Sequence, residues 1–184
     1  RTWGAEVFPG SSVPNAMVEL SPVTQFRSGA GYQYEDTVIY GFSHTNKGHW
    51  NLLHLPILPV TGNVSSDDYA SKYSHTNESA HPGYYQVFLE RYGVNAELTS
   101  TLRCAYHKYT FRPDDDKKVL VDITRTNNGV RDWSIQKVDD HTFSGNQDAE
   151  GNIRFYAVSN YKIQDIKQLK DGEHEVSVVS FADS

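Results

Sequence analysis

The sequence has almost no cysteine: Cys104 is the single one in 184 residues. One thiol forms no internal disulfide, so the fold cannot rest on a disulfide framework, and cysteine-rich zinc sites are excluded with it. Cys104 lies in the run Arg103-Cys104-Ala105-Tyr106, which reads as strand, and is expected to be a buried filler. Long apolar runs are also missing, and nothing approaches the roughly 18–20 residues of a membrane-spanning helix. Cationic excess is missing too. Lys and Arg number 17 against 23 Asp and Glu, a net charge of -6 with no basic stripe, which excludes a nucleic-acid binder. No glycine-rich phosphate loop, nucleotide fingerprint or GxSxG elbow is present. Helical periodicity is scarce as well. The one stretch that suggests a short helix is 163–169, with Ile163, Ile166 and Leu169 three apart. The chain begins at Arg1 rather than Met and carries no signal-like segment, so it reads as a trimmed chain whose compartment is not written in its residues.

What is present is alternation. Residues 85–90, 96–100, 103–111, 118–123, 133–138, 153–158 and 175–181 are short runs rich in β-branched and aromatic residues. Between them fall His81-Pro82-Gly83, Tyr92-Gly93, Asn127-Asn128-Gly129, Glu150-Gly151 and Asp171-Gly172, residues that supply the φ values of tight turns. This spacing predicts an all-β antiparallel β-sandwich, with residues 1–184 as one domain. The N-terminal third differs: Gly and Pro are dense and polar and aromatic residues crowd between them, which predicts structured loops of the kind that carry binding groups.

The candidate chemistry is sparse. His44, His49 and His54 are five apart and no HExxH occurs, so the eight histidines read as hydrogen-bonded loop residues rather than metal ligands. Asp114-Asp115-Asp116 lacks the Gly and distal Glu of a calcium loop and reads as a solvated turn. Asn63-Val64-Ser65 and Asn77-Glu78-Ser79 match the glycosylation sequon. A glycosidase needs two carboxylates flanking the scissile bond. Glu6, Glu19, Glu35 and Asp36 are candidates, but nothing in their spacing pairs any two of them.

Five blocks in order carry a resemblance. They are Phe8-Pro9-Gly10 with Met17-Val18-Glu19-Leu20-Ser21-Pro22; Gly31-Tyr32-Gln33-Tyr34 with Ile39-Tyr40-Gly41-Phe42-Ser43-His44-Thr45; Leu55-Pro56 with Thr61-Gly62; Tyr73-Ser74-His75-Thr76-Asn77-Glu78 with Pro82-Gly83-Tyr84-Tyr85; and Leu98-Thr99 with His107-Lys108-Tyr109-Thr110-Phe111. Together they resemble the opening of glycoside hydrolase family 92. The resemblance implies a supersandwich-like N-terminal domain of a calcium-dependent, inverting exo-α-mannosidase that is secreted or periplasmic in bacteria and acts on mannose-containing glycans. It also implies that the acid, the base and the calcium ligands lie mainly in a C-terminal (α/α)6 barrel. The chain has no room for that barrel after the strand at 176–181, so no catalytic residue, no metal ligand and no activity are expected of it alone. The rival expectation is an autonomous carbohydrate-binding module.

The text departs from the family between two matching flanks, at residues 46–54. A loop from His44 to His54 is therefore expected to line the sugar pocket. Trp50 would stack on the leaving-group sugar, with His44, His49 and Asn51 near its hydroxyls. The substitution also puts the commonest linkage preference of the family, α-1,2, in question.

Overall fold

The computed structural model describes residues 7–46 and 48–182. Its strands, in chain order, are β1 (Ser21–Val23), β2 (Val38–Ile39), β3 (Gly41–Ser43), β4 (Ile57–Val60), β5 (Ser71–Lys72), β6 (Glu78–His81), β7 (Tyr84–Leu89), β8 (Val94–Ser100), β9 (Ala105–Thr110), β10 (Lys118–Val121), β11 (Asp132–Lys137), β12 (Thr142–Ala149), β13 (Gly151–Val158), β14 (Ile163–Asp171) and β15 (His174–Phe181). The only helical element among the described residues is one 3-10 turn, His75–Asn77. Nothing there is long and apolar enough to cross a membrane as a helix.

The architecture follows from the pleat. A six-stranded sheet in the order β1-β3-β4-β10-β15-β14 forms the middle layer. Its central strands are apolar at nearly every position because both faces are covered. Leu58, Val60, Leu120 and Val178 point one way, onto Tyr85, Val87 and Leu89 of β7 and Val94, Ala96 and Leu98 of β8, in the sheet β6-β7-β8-β9. Ile57, Val119, Val121 and Val179 point the other way, onto Phe143 and Phe155 of the meander β11-β12-β13, with Trp133 and Ile135 packed alongside. Each such buried side chain contributes about 1.5–3 kcal/mol. The pairings within these sheets are all antiparallel, as the short turn spacing predicts. Between β6 and β7, Pro82 and Gly83 form the two-residue connection. Gly83 has φ of 80°, which a side chain would resist.

Two expectations are corrected, and one strand went unforeseen. Residues 163–169 are strand, not helix. A bulge between Ile163 and Asp165 inserts one residue, so Ile163 and Ile166 share the meander-side face although they are three apart. Leu169, an odd step further on, packs into the other core. The three-residue spacing was thus a bulge and a change of face. Cys104 is exposed, in the turn before β9, where its backbone N–H donates to Thr101 Oγ1 at 3.1 Å. Strand β12 is too polar to stand out in sequence. It is central to its meander, with Phe143, Gln147 and Ala149 turned inward.

The N-terminal segment is threaded tightly. Leu20 N–H donates to Ser11 O at 3.0 Å, and a Cβ added at Gly10 would lie 1.5 Å from Leu20 O.

Candidate functional site

The loop from His44 to His54 leaves the end of β3 and returns to the start of β4. Two backbone bonds close its base: His44 N–H to His54 O at 3.0 Å and Leu52 N–H to Thr45 O at 3.1 Å. Its described residues form no regular strand, so their backbone groups need other partners. Buried asparagines provide them. Asn46 Nδ2 donates to Glu19 O at 2.7 Å. Asn51 Nδ2 donates to Ala30 O at 2.6 Å while its Oδ1 accepts from Gly48 N–H at 2.8 Å. Asn127, from the turn after β10, donates to Ser28 O at 2.7 Å and Asn51 O at 2.5 Å. Gln147 of β12 accepts from Leu55 N–H at 3.0 Å and donates to Ile123 O at 2.7 Å. These amides replace a sheet ladder. They hold Trp50, Leu53 and Leu55 at φ of 47°, 58° and 52°, the left-handed region that non-glycine residues avoid. Strain of this kind persists only where surrounding contacts enforce it.

The four residues expected in the site have different positions. His49 and Trp50 are exposed at the tip, Trp50 at 40 %. The indole Nε1–H donates to Asn128 Oδ1 at 2.7 Å, and Asn128 in turn donates to Glu150. The indole is thereby held in one orientation at the surface. Asn51 is fully buried one residue away, its amide committed to the loop. His44 sits at the base, turned toward β9. Its Nδ1–H donates to Leu55 O at 2.8 Å, so its Nε2 accepts, and His107 Nε2–H lies 3.1 Å from it. His107 Nδ1 then accepts from Tyr109 Oη–H at 2.7 Å. The run Tyr109, His107, His44, Leu55 is complete with both imidazoles neutral. Asn127, Asn128 and His107 were not among the sequence candidates; the Asn-Asn-Gly turn was read only as a turn.

Burial drives the His44 ring down to about 4 and His107 well below its ordinary value. The unfolded chain therefore takes up protons on both rings near pH 6.5, before the folded one does. Their contribution to stability is complete above pH 6.5 and is lost as pH falls toward 4. We expect a loss of about 1–3 kcal/mol across that window. Urea midpoints at pH 7 and pH 4.5 measure it. His107→Gln should flatten the slope, and an unchanged slope would contradict the relay.

The acid candidates fare unevenly. Glu6 lies outside the described residues. Glu19 lies beside the loop base, its N–H donating to His44 O at 3.0 Å, and burial raises its carboxyl. Glu35 is exposed. The aspartate turn does not fit calcium: Asp115 is taken by Arg112 at 2.8 Å, and Asp116 accepts from Gly62 N–H at 2.7 Å and pairs with Lys118. Among the described residues no group of three or more His, Cys, Asp or Glu is placed to hold a metal.

A layered antiparallel sandwich of this kind is the form of a glycoside hydrolase N-terminal domain, as the comparisons show. The sequence matches the Glycosyl hydrolase family 92 N-terminal domain over residues 2–175, and the chain belongs to that family. The structure is similar to a family GH92 α-mannosidase from Bacteroides thetaiotaomicron, with a TM-score of 0.86 and 27 % identity over 96 % of this chain and 29 % of that one. The same enzyme in complex with mannoimidazole gives a TM-score of 0.86 at 26 % identity, covering 96 % and 28 %. A family GH92 inverting mannosidase from Bacteroides thetaiotaomicron VPI-5482 shares the fold, with a TM-score of 0.82 at 20 % identity, covering 97 % and 27 %. The chain thus spans less than a third of the length of these relatives. No curated protein matches it.

Proposed function

We propose that the chain serves as the N-terminal domain of an exo-acting α-mannosidase, packing on a catalytic barrel and presenting the His44–His54 loop to the substrate. The carrying observation is Trp50, an exposed indole at a strained backbone position, oriented by Asn128 and supported by buried amides. In this reading Trp50 stacks on the leaving-group mannose and His49 reaches its hydroxyls. His44 and Asn51 keep the loop in shape. Met17 and Leu102, exposed at 71 % and 56 % and joined by Met17 N–H to Leu102 O at 2.8 Å, supply part of the apolar surface for the barrel. Acid, base and calcium come from the barrel, the enzyme works outside the cytoplasm or in the periplasm, and this chain alone is inactive.

In the complete enzyme, Trp50→Ala should lower kcat/KM by about 1–3 kcal/mol, or roughly 5- to 150-fold. Stability should fall by less than the ~3–5 kcal/mol of a core tryptophan. Kinetics on aryl α-mannosides and disaccharides, with denaturant melts of the same variant, separate the two. Unchanged kinetics with a large loss of stability would remove Trp50 from the pocket.

A further inference from the structure

A second concave site shares the segment 126–129 with the Trp50 loop. It is a cleft of about 390 Å³, within the roughly 300–1,000 Å³ range of small-molecule sites. Arg27, Arg125, Thr24, Thr126, Phe26 and Tyr40 are among its walls, and among the described residues no Asp or Glu lines it. In a chain of net charge -6, a cleft lined by two guanidinium groups and, among the described residues, by no carboxylate is a local reversal of sign.

Arg125 is held in place from behind. Its Nη2–H donates to His174 Nδ1 at 3.0 Å. That donation fixes the tautomer, so His174 Nε2–H donates to Asp122 Oδ1 at 3.0 Å. Asp122 is fully buried and also takes the phenol of Tyr69. The guanidinium carbon lies 5.7 Å from the centre of the Phe26 ring. Its Nε also stands 4.0 Å from Asp122 Oδ2, an ion pair with that buried carboxylate, and with one Nη2 proton on His174 the remaining Nη donors are left for a ligand. Arg27 is exposed, sits at φ of 55°, and its side chain makes no ion pair among the described residues. Thr24 Oγ1 accepts from Gln33 N–H at 2.8 Å and Thr126 Oγ1 from Asn128 N–H at 3.3 Å. Each hydroxyl keeps its own proton to donate.

We infer that this cleft binds a tetrahedral oxyanion, either the phosphate of a phosphorylated sugar or free phosphate. Two charged, forked guanidinium groups with hydroxyl donors beside them match that chemistry. The cleft is larger than a bare anion fills, and Phe26 and Tyr40 give one side an aromatic surface suited to a pyranose. The site stands apart from the mannosidase reading and does not depend on it.

Amide-resolved NMR titration of the protein with inorganic phosphate, mannose 6-phosphate and mannose tests the inference. Both phosphates should shift the amides of Arg27, Arg125 and Thr126 saturably, and mannose should not. Arg27→Gln, at an exposed position, should weaken both phosphates by about tenfold without altering the melt. Arg125→Lys should do the same by removing the fork while keeping the charge. Tighter binding of the sugar phosphate identifies a phosphorylated sugar as ligand; equal binding identifies free phosphate. No saturable shift with either phosphate, or shifts undiminished in Arg27→Gln, would overturn the inference, as would equal shifts from mannose.

Discussion

Asp122→Ala is expected to destabilise the domain by about 3–5 kcal/mol, a large share of the roughly 5–15 kcal/mol that keeps a domain folded. Asp122 has no solvent exposure, yet it is the acceptor on which Tyr69 and His174 converge. Burial and the adjacent carboxylate push the Tyr69 phenol upward, so it remains a donor at any ordinary pH. Truncation leaves a phenol and an imidazole N–H buried without a partner, and each such group costs roughly 1–3 kcal/mol. Asp122→Asn keeps an acceptor for His174 and should cost clearly less. Urea denaturation of the two variants gives the comparison, and equal losses would show that shape rather than hydrogen bonding decides.

Gly10→Ala should be nearly as damaging, by a different cause. A methyl group there would overlap Leu20 O at 1.5 Å, and the obstacle is backbone, with Ser21 Cα only 2.7 Å away. Relief requires the segment to move off Leu20 and release the Leu20 N–H bond to Ser11 O. A loss of about 3 kcal/mol is expected, in the range of severe overpacking. Gly62→Ala is the control: its φ is 65°, but no atom lies within 4 Å, so only the backbone preference is lost, about 1 kcal/mol. Thermal melts of both variants decide. A Gly10→Ala protein as stable as the Gly62→Ala protein would mean that the threading is slack.

The layers were legible because alternation and turn chemistry report burial directly. Val119, Leu120 and Val121 form an unbroken apolar run because the sheet they cross is covered on both faces. Elements whose residues answer to something other than period were harder to read. Strand β12 carries Gly145 where a side chain would strike Phe155 and Ser134 O, and Gln147 where β4 needs an amide. Neither residue looks like strand in isolation. The site was legible only in outline. The break in resemblance between residues 46 and 54 marks the loop, and Trp50 is its visible feature. Nothing in the sequence announces left-handed backbone at Trp50, Leu53 and Leu55, since none is glycine. The supporting asparagines come from two stretches of chain, Asn46 and Asn51 in the loop and Asn127 some 76 residues beyond Asn51, so spacing could not have joined them.

The bulge in β14 also shapes an edge of the middle sheet. That strand is the last of the middle sheet, and a straight one would offer a row of free amides and carbonyls to a second molecule. The inserted residue breaks the row near Ile163, where Lys137 caps the Ile163 carbonyl and Asp140 O takes the Ile163 N–H. Further along, Lys167 and Lys170 place like charges beside any incoming copy of themselves. The irregularity that made this segment look helical also interrupts the edge along which a straight strand would offer pairing to a neighbour's strand.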